Sequence, residues 1–247
     1  MKINYEEYYL SMRERCLYFG QGILLCVLVN YLFYREMLIF IFMLPIPFFW
    51  IYWKKQERNQ KRKKELNYQF RDALNILSVA LRAGYSIENG LVEAEKDMRK
   101  LNGNRSEMVQ ELSYMNRQIK VNISVEELLT DFGIRSGVED IRNFASVFAI
   151  GRRSGGNMAE IVREAADQIS EKIDVDRSIE LAVASKKFEQ SIMSCMPCGI
   201  IFYMQITSPG FFDNLYGNLF GVIFMTICLI LYAAAFVLGR RIVRIEV

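Results

Sequence analysis

Hydrophobic and polar positions fall into blocks along the chain. Residues 17–34 (LYFGQGILLCVLVNYLFY) and 37–53 (MLIFIFMLPIPFFWIYW) carry no charged side chain, and each approaches the ~20 residues that cross a bilayer as a helix. Only Arg35-Glu36 separates them, which predicts a tight hairpin of two spans. Pro45 and Pro47 are expected to kink the second span, and Trp50, Tyr52 and Trp53 end it as interface aromatics do. Residues 191–207 (SIMSCMPCGIIFYMQIT), interrupted by Pro197, and residues 219–238 form a second pair. The loop between them, 208–218, has no Lys or Arg.

Between the two apolar pairs the period is helical throughout, with no strand-like alternation. Phe70, Leu74, Leu77 and Leu81 mark one face, and Gly84 ends that helix. Ser86 caps the next, through Leu91 and Ala94. Asn102-Gly103-Asn104 is a loop. Met108, Leu112 and Met115 mark a third helix. Ser124 and Glu127 have capping-box spacing ahead of Leu128, Leu129 and Phe132. Gly133 and Gly137 read as punctuation before Val138, Ile141, Phe144, Ala145, Phe148 and Ala149. Next comes the glycine turn Gly155-Gly156. Asn157 follows as an N-cap, with Glu160 three residues on. Met158, Ile161, Val162, Ala165, Ile169 and Ile173 keep one face apolar, and the pattern continues through Ile179, Leu181 and Ala184. The polar face ends at Lys186-Lys187, so one helix is expected to run from a bundle into the third span. The unit of glycine turn, cap and helix occurs at Leu81–Ala94 and again at Ile150–Ala165.

Charge orients these blocks. A basic run, KKQERNQKRKKE, occupies residues 54–65 directly after the aromatic end of the second span. Arg13 and Arg15, Lys186 and Lys187, and Arg240, Arg241 and Arg244 flank the other spans. Basic flanks mark the cytosolic side, which predicts four spans with both termini inside and 208–218 outside. Arg35 is the exception, outweighed by the run at 54–65. That run is also placed to touch anionic lipid head groups. Over residues 65–190 there are 17 Lys and Arg against 21 Asp and Glu, so the bundle is mildly acidic below a basic collar. The net charge of +3 gives no argument for nucleic acid. The first apolar run is of span length and no small-residue cleavage site follows it, which does not suit a cleavable signal peptide.

The expected fold is therefore all-α: an integral membrane protein with four transmembrane helices. A cytosolic segment (1–16) precedes a transmembrane hairpin (17–53) and a basic juxtamembrane collar (54–65). A cytosolic helical bundle (66–190) of five or six helices leads to a second hairpin and a short cytosolic C-terminus (191–247).

Little catalytic chemistry is present. The chain has no histidine, which removes the commonest general base and metal ligand. Its five cysteines lie in or beside apolar spans, where a thiol packs as a small hydrophobe. Cys195 and Cys198 match C-x-x-C, but no basic group neighbours them to lower a thiol pKa. Arg152 and Arg153 beside Gly155-Gly156 suggest a phosphate loop, yet GxxxxGK[ST] is absent and no strand precedes the turn. The turn reads as an inter-helix joint needing glycine for positive φ. The carboxylate pairs Glu126/Glu127 and Asp174/Asp176 point apart on a helix and read as solvated. No charged residue lies deep in a span, which disfavours an ion-coupled transporter, and the few polar residues there (Gln21, Asn30, Gln205) disfavour a channel. The lack of any nucleophile–base pair disfavours a membrane enzyme and leaves a scaffold or transmitter, with a small transporter or channel component as the main competing class.

One resemblance sharpens this reading. GRRSGGNMAEI at 151–161, the charged helix after it, the following span and the closing GRRIVRIEV resemble the TadB branch of the type II secretion system F domain. RDALNILSVALRAGYSIENGLVEA, residues 71–94, resembles the start of that domain, and the likeness covers roughly 66–247. The resemblance implies a platform protein of a Tad (Flp) pilus in the inner membrane. It would link a hexameric cytosolic secretion ATPase to pilin subunits beside a second, TadC-like platform protein, in a homo- or hetero-oligomer. ATP hydrolysis would belong to the partner. Arg152 and Arg153, flanking the central turn, are the expected contacts with that ATPase. Gly84, Gly155, Gly156 and Asn157 are the expected structural turn residues.

Overall fold

The computed structural model describes Tyr5 and residues 12–34, 40–41, 43–208, 210–211 and 219–243. The expected Arg35-Glu36 turn, most of the 208–218 loop and Arg244 lie outside these residues. Every described element is a helix: α1 (Met12–Phe33), α2 (Ile46–Arg82), α3 (Ile87–Asn102), α4 (Glu107–Ile119), α5 (Val125–Ser136), α6 (Glu139–Arg153), α7 (Met158–Thr207) and α8 (Leu219–Val243). The chain divides into two compact units. One comprises Met1–Tyr9 with Lys55–Val175, the other Leu10–Lys54 with Asp176–Val247.

The first unit is a bundle of six helical segments around one apolar core. The faces read from the sequence are the faces that pack. Phe70, Leu74 and Leu77 of α2 meet Leu112 and Met115 of α4, Phe132 of α5 and Phe148 of α6 in a single cluster. A run of edge-to-face aromatic pairs threads it, with Phe70 against both Phe132 (6.2 Å) and Phe144 (5.5 Å). On α7 the buried residues stop at Ile173. Leu181, expected to continue that face, is 70% exposed. The apolar pattern there persists beyond the end of the core.

Two glycines differ in role. Gly137 ends α5 in the left-handed conformation (φ 59°), as a C-cap. Gly133 does not punctuate. It lies within α5, where an added Cβ would stand 3.0 Å from the Arg142 Cα of α6. Its missing side chain permits close helix packing.

A buried ionic group lies beside the core. Glu111 of α4, its side chain 2% exposed, binds the Arg135 guanidinium of α5 through both carboxylate oxygens. Asp131 takes a further Arg135 bond at 2.7 Å. Burial opposes the charge on Arg135, but the hydrogen bonds and charges of Glu111 and Asp131 outweigh it and raise the pKa. Tyr5 completes the group: fully buried, it donates its hydroxyl to Glu111 at 3.3 Å. Burial first, then the charge of Glu111, pushes its pKa far above the usual tyrosine value. The basic collar contributes inward as well as outward. Arg62 pairs with Glu107, and Lys63 reaches the Gly137 carbonyl at the C-terminus of α5.

The second unit holds the apolar segments. Among the described residues two helices are long and apolar enough to cross a membrane, Met12–Phe33 and Phe220–Ile242. The other two expected spans are not among the helices that meet that length and hydropathy within the described residues. A turn at Leu44-Pro45 interrupts the second run, and α2 starts at Ile46 with its apolar part ending at Trp53. Pro45 and Pro47 stand at the start of α2, where a missing N–H costs nothing. Residues 191–207 are the C-terminal part of the 50-residue α7, which carries Pro197 inside it. Within this unit Gly22 lets Pro47 approach, since a Cβ there would lie 2.9 Å from the Pro47 Cα. Leu32, Phe33, Tyr34 and Met225 form a small core, and the Tyr34 and Thr226 hydroxyls bond at 3.0 Å.

Candidate functional site

The bundle's helices are joined by one turn used three times. Gly84, Asn122 and Gly155 each adopt positive φ (88°, 64° and 69°). Their N–H groups return to the carbonyls of Leu81, Ile119 and Arg152, three residues back. The next residues, Tyr85, Ile123 and Gly156, return theirs to Ala80, Gln118 and Gly151, five back. This pair of bonds is the Schellman helix ending, which satisfies carbonyls the helix leaves open. One residue later comes the N-cap: Ser86, Ser124 or Asn157. Each cap oxygen accepts the backbone N–H three residues on, from Asn89 (3.3 Å), Glu127 (3.2 Å) or Glu160 (3.4 Å).

The expected turn residues Gly84, Gly155 and Asn157 take these positions. Gly156 does not need positive φ. It is held by its bond to the Gly151 carbonyl (2.9 Å), which lies 3.4 Å from where a Cβ would stand. The third copy, at Asn122, carries no glycine and so lies outside the expected turn residues. Its signal was available, because asparagine is the side chain that best tolerates this conformation after glycine.

The three turns meet at one end of the bundle. Arg152, in the last turn of α6, binds Glu126 in the first turn of α5 (3.1 Å) and Glu88 in the first turn of α3 (3.5 Å). Glu160, in the first turn of α7, has its pKa lowered mainly by its hydrogen bond from Arg163, with Arg82 of α2 adding a smaller attraction. Acidic side chains thus sit at helix N-termini and basic ones at C-termini, complementing the backbone dipoles. Arg152, expected as a free contact, is 37% exposed and already engaged as a clasp between turns. Arg153 is exposed and makes no ion pair among the described residues. Tyr85, Val121 and Ile150 expose apolar surface on the elements that meet here. Such an end offers charge and apolar area to a protein surface.

The model of the type II secretion system protein F family matches residues 73–206, more than half of the chain. The chain belongs to that family. Protein F domains are structural platforms of type II secretion and type IV pilus assembly, set in the inner membrane, and they interact with secretion ATPases and other platform proteins. The matched stretch runs from within α2 to near the end of α7, so it contains all three turns and the Arg152 clasp. The two apolar helices fit the family's membrane location. No curated protein and no solved structure matches the chain.

Proposed function

We propose that this chain is the inner-membrane platform of a Tad/Flp-type pilus, coupling a hexameric cytosolic secretion ATPase to the insertion of pilin subunits. The protein F domain carries the reading. GRRSGGNMAEI and the basic C-terminus favour the TadB branch and a TadC-like partner platform. Residues 54–190 would lie in the cytosol, between two transmembrane hairpins. One connection supports the first hairpin: Tyr5 and the chain from Lys55 onward belong to the same compact unit. A chain that leaves that side through α1 must cross again before Lys55. A cysteine at Asn214, in a background lacking the native cysteines, should react with an impermeant thiol reagent in intact cells, and one at the exposed Lys61 should not. The reverse pattern would refute this topology.

The ATPase would dock on the end that carries the three turns, with Arg153 as its cation. Arg152, committed to Glu88 and Glu126, would hold that surface in shape. The test is recovery of the secretion ATPase with tagged protein. Arg153→Glu should leave membrane levels unchanged and lower ATPase recovery at least tenfold. Arg152→Glu should lower the melting temperature, because it sets a third carboxylate against Glu88 and Glu126. Full ATPase recovery with Arg153→Glu would remove Arg153 from the interface.

A further inference from the structure

Features that weaken a helix fall together in residues 194–199 of α7. Pro197 has no N–H, so the Met193 carbonyl four residues back loses its helical donor. The Ser194 hydroxyl donates to the Gln190 carbonyl at 2.8 Å, a back-bond that often bends a helix. Gly199 lies in open space, with nothing within 4 Å of where a Cβ would stand. Yet α7 runs from Met158 to Thr207 as one helix. A side chain of α8 reaches across this stretch. The Tyr232 hydroxyl donates to the Ser194 carbonyl at 2.5 Å and accepts from the Cys198 thiol at 4.0 Å. Those two partners lie on opposite sides of Pro197 in the chain.

From this geometry we infer that residues 194–199 form a hinge in α7 and that the Tyr232 hydroxyl is its latch. A neighbouring helix commonly re-satisfies the backbone that a proline disturbs in an apolar segment, and here Tyr232 supplies that donor one residue from the orphaned carbonyl. Packing flanks the latch on both sides. Gly239, further along α8, lies so close to α7 that a Cβ there would stand 2.9 Å from the Gln190 Nε2. Beyond the proline, Cys198 and Ile201 pack against the small core that includes Met225. With the hydroxyl on the Ser194 carbonyl, the segment keeps one bend. A polar group that takes the hydroxyl would free the bend to vary.

Two spin labels on the intact protein in nanodiscs test the hinge. They are attached to cysteines at the exposed Lys187 and Ile206, roughly 28 Å apart along a straight helix. The background replaces Cys198 with serine, which keeps a donor there, and the other native cysteines with alanine. Electron–electron dipolar spectroscopy should give one narrow distance distribution. Tyr232→Phe keeps the ring and removes the hydroxyl, and it should broaden the distribution at least twofold. Adding Pro197→Ala restores the missing N–H and should return the original width. An unchanged width in Tyr232→Phe would overturn the latch. Broadening that persists after Pro197→Ala would overturn the hinge, because the motion then arises elsewhere or from general loosening.

Discussion

Arg135→Met is expected to destabilise the bundle by about 3–5 kcal/mol, the range measured when one partner of a buried ion pair is removed. Glu111 would keep its charge in a site where its side chain is 2% exposed, with only the Tyr5 hydroxyl remaining of the bonds described above. Whole-domain stabilities are about 5–15 kcal/mol, so this loss takes a large share. At roughly 3–4 °C per kcal/mol for a unit of this size, the melting temperature should fall by roughly 10–20 °C. Thermal unfolding of the purified protein in detergent measures it. Glu111→Leu combined with Arg135→Met should recover much of the loss, because replacing the whole pair with apolar side chains leaves no charge stranded. A single variant as stable as the wild type would show that the site is wetter than its packing indicates.

Gly133→Val is expected to be the second most damaging substitution, at about 1–3 kcal/mol or more, as overpacking of a close contact costs. The neighbour that must yield is the Arg142 backbone of α6, 3.0 Å from the new Cβ, and the branched γ-carbons extend the clash. Alanine there would gain about 1 kcal/mol of helix propensity and still meet the same backbone, so it should be milder. Gly155 gives the contrasting control. A Cβ there meets nothing within 4 Å, and the strain lies in its φ of 69°. Asparagine should therefore be tolerated at Gly155 and not at Gly133. Thermal unfolding of Gly133→Val, Gly133→Asn, Gly155→Val and Gly155→Asn separates the two causes. Equal losses from asparagine at both positions would refute the distinction.

These two glycines show what the sequence makes legible. Local grammar was readable: the spacing of Ser86, Ser124 and Asn157 from the residues three ahead is a property of a few consecutive positions, and the helices start there. The apolar faces were readable for the same reason, up to Ile173. What depends on a partner distant in the chain was not. Gly133 looks like a breaker until Arg142 is placed beside it. Glu111 and Arg135 look like ordinary surface charges, because their pairing across 24 residues is made by the packing of α4 on α5. Tyr5 sits in a polar, aromatic stretch with no periodicity to announce a buried residue. At the candidate site, Arg152 lies in the last turn of α6, beside the central turn. Its engagement with Glu88 and Glu126 could not be read, since those carboxylates lie on other helices.

The thrice-used turn also has an electrical consequence. At the end of the bundle where the turns meet, three helices finish and three begin. Each finishing helix contributes roughly −0.5 elementary charge and each starting one roughly +0.5. The backbone there is nearly silent as a source of field, unlike a lone helix terminus. Any long-range attraction felt by an approaching protein must then come from side chains, chiefly Arg153, since Arg152 is already neutralised locally by two carboxylates. Such attraction is extinguished over about 8 Å at physiological ionic strength. A charge carried at this end of the bundle is therefore felt only at short range.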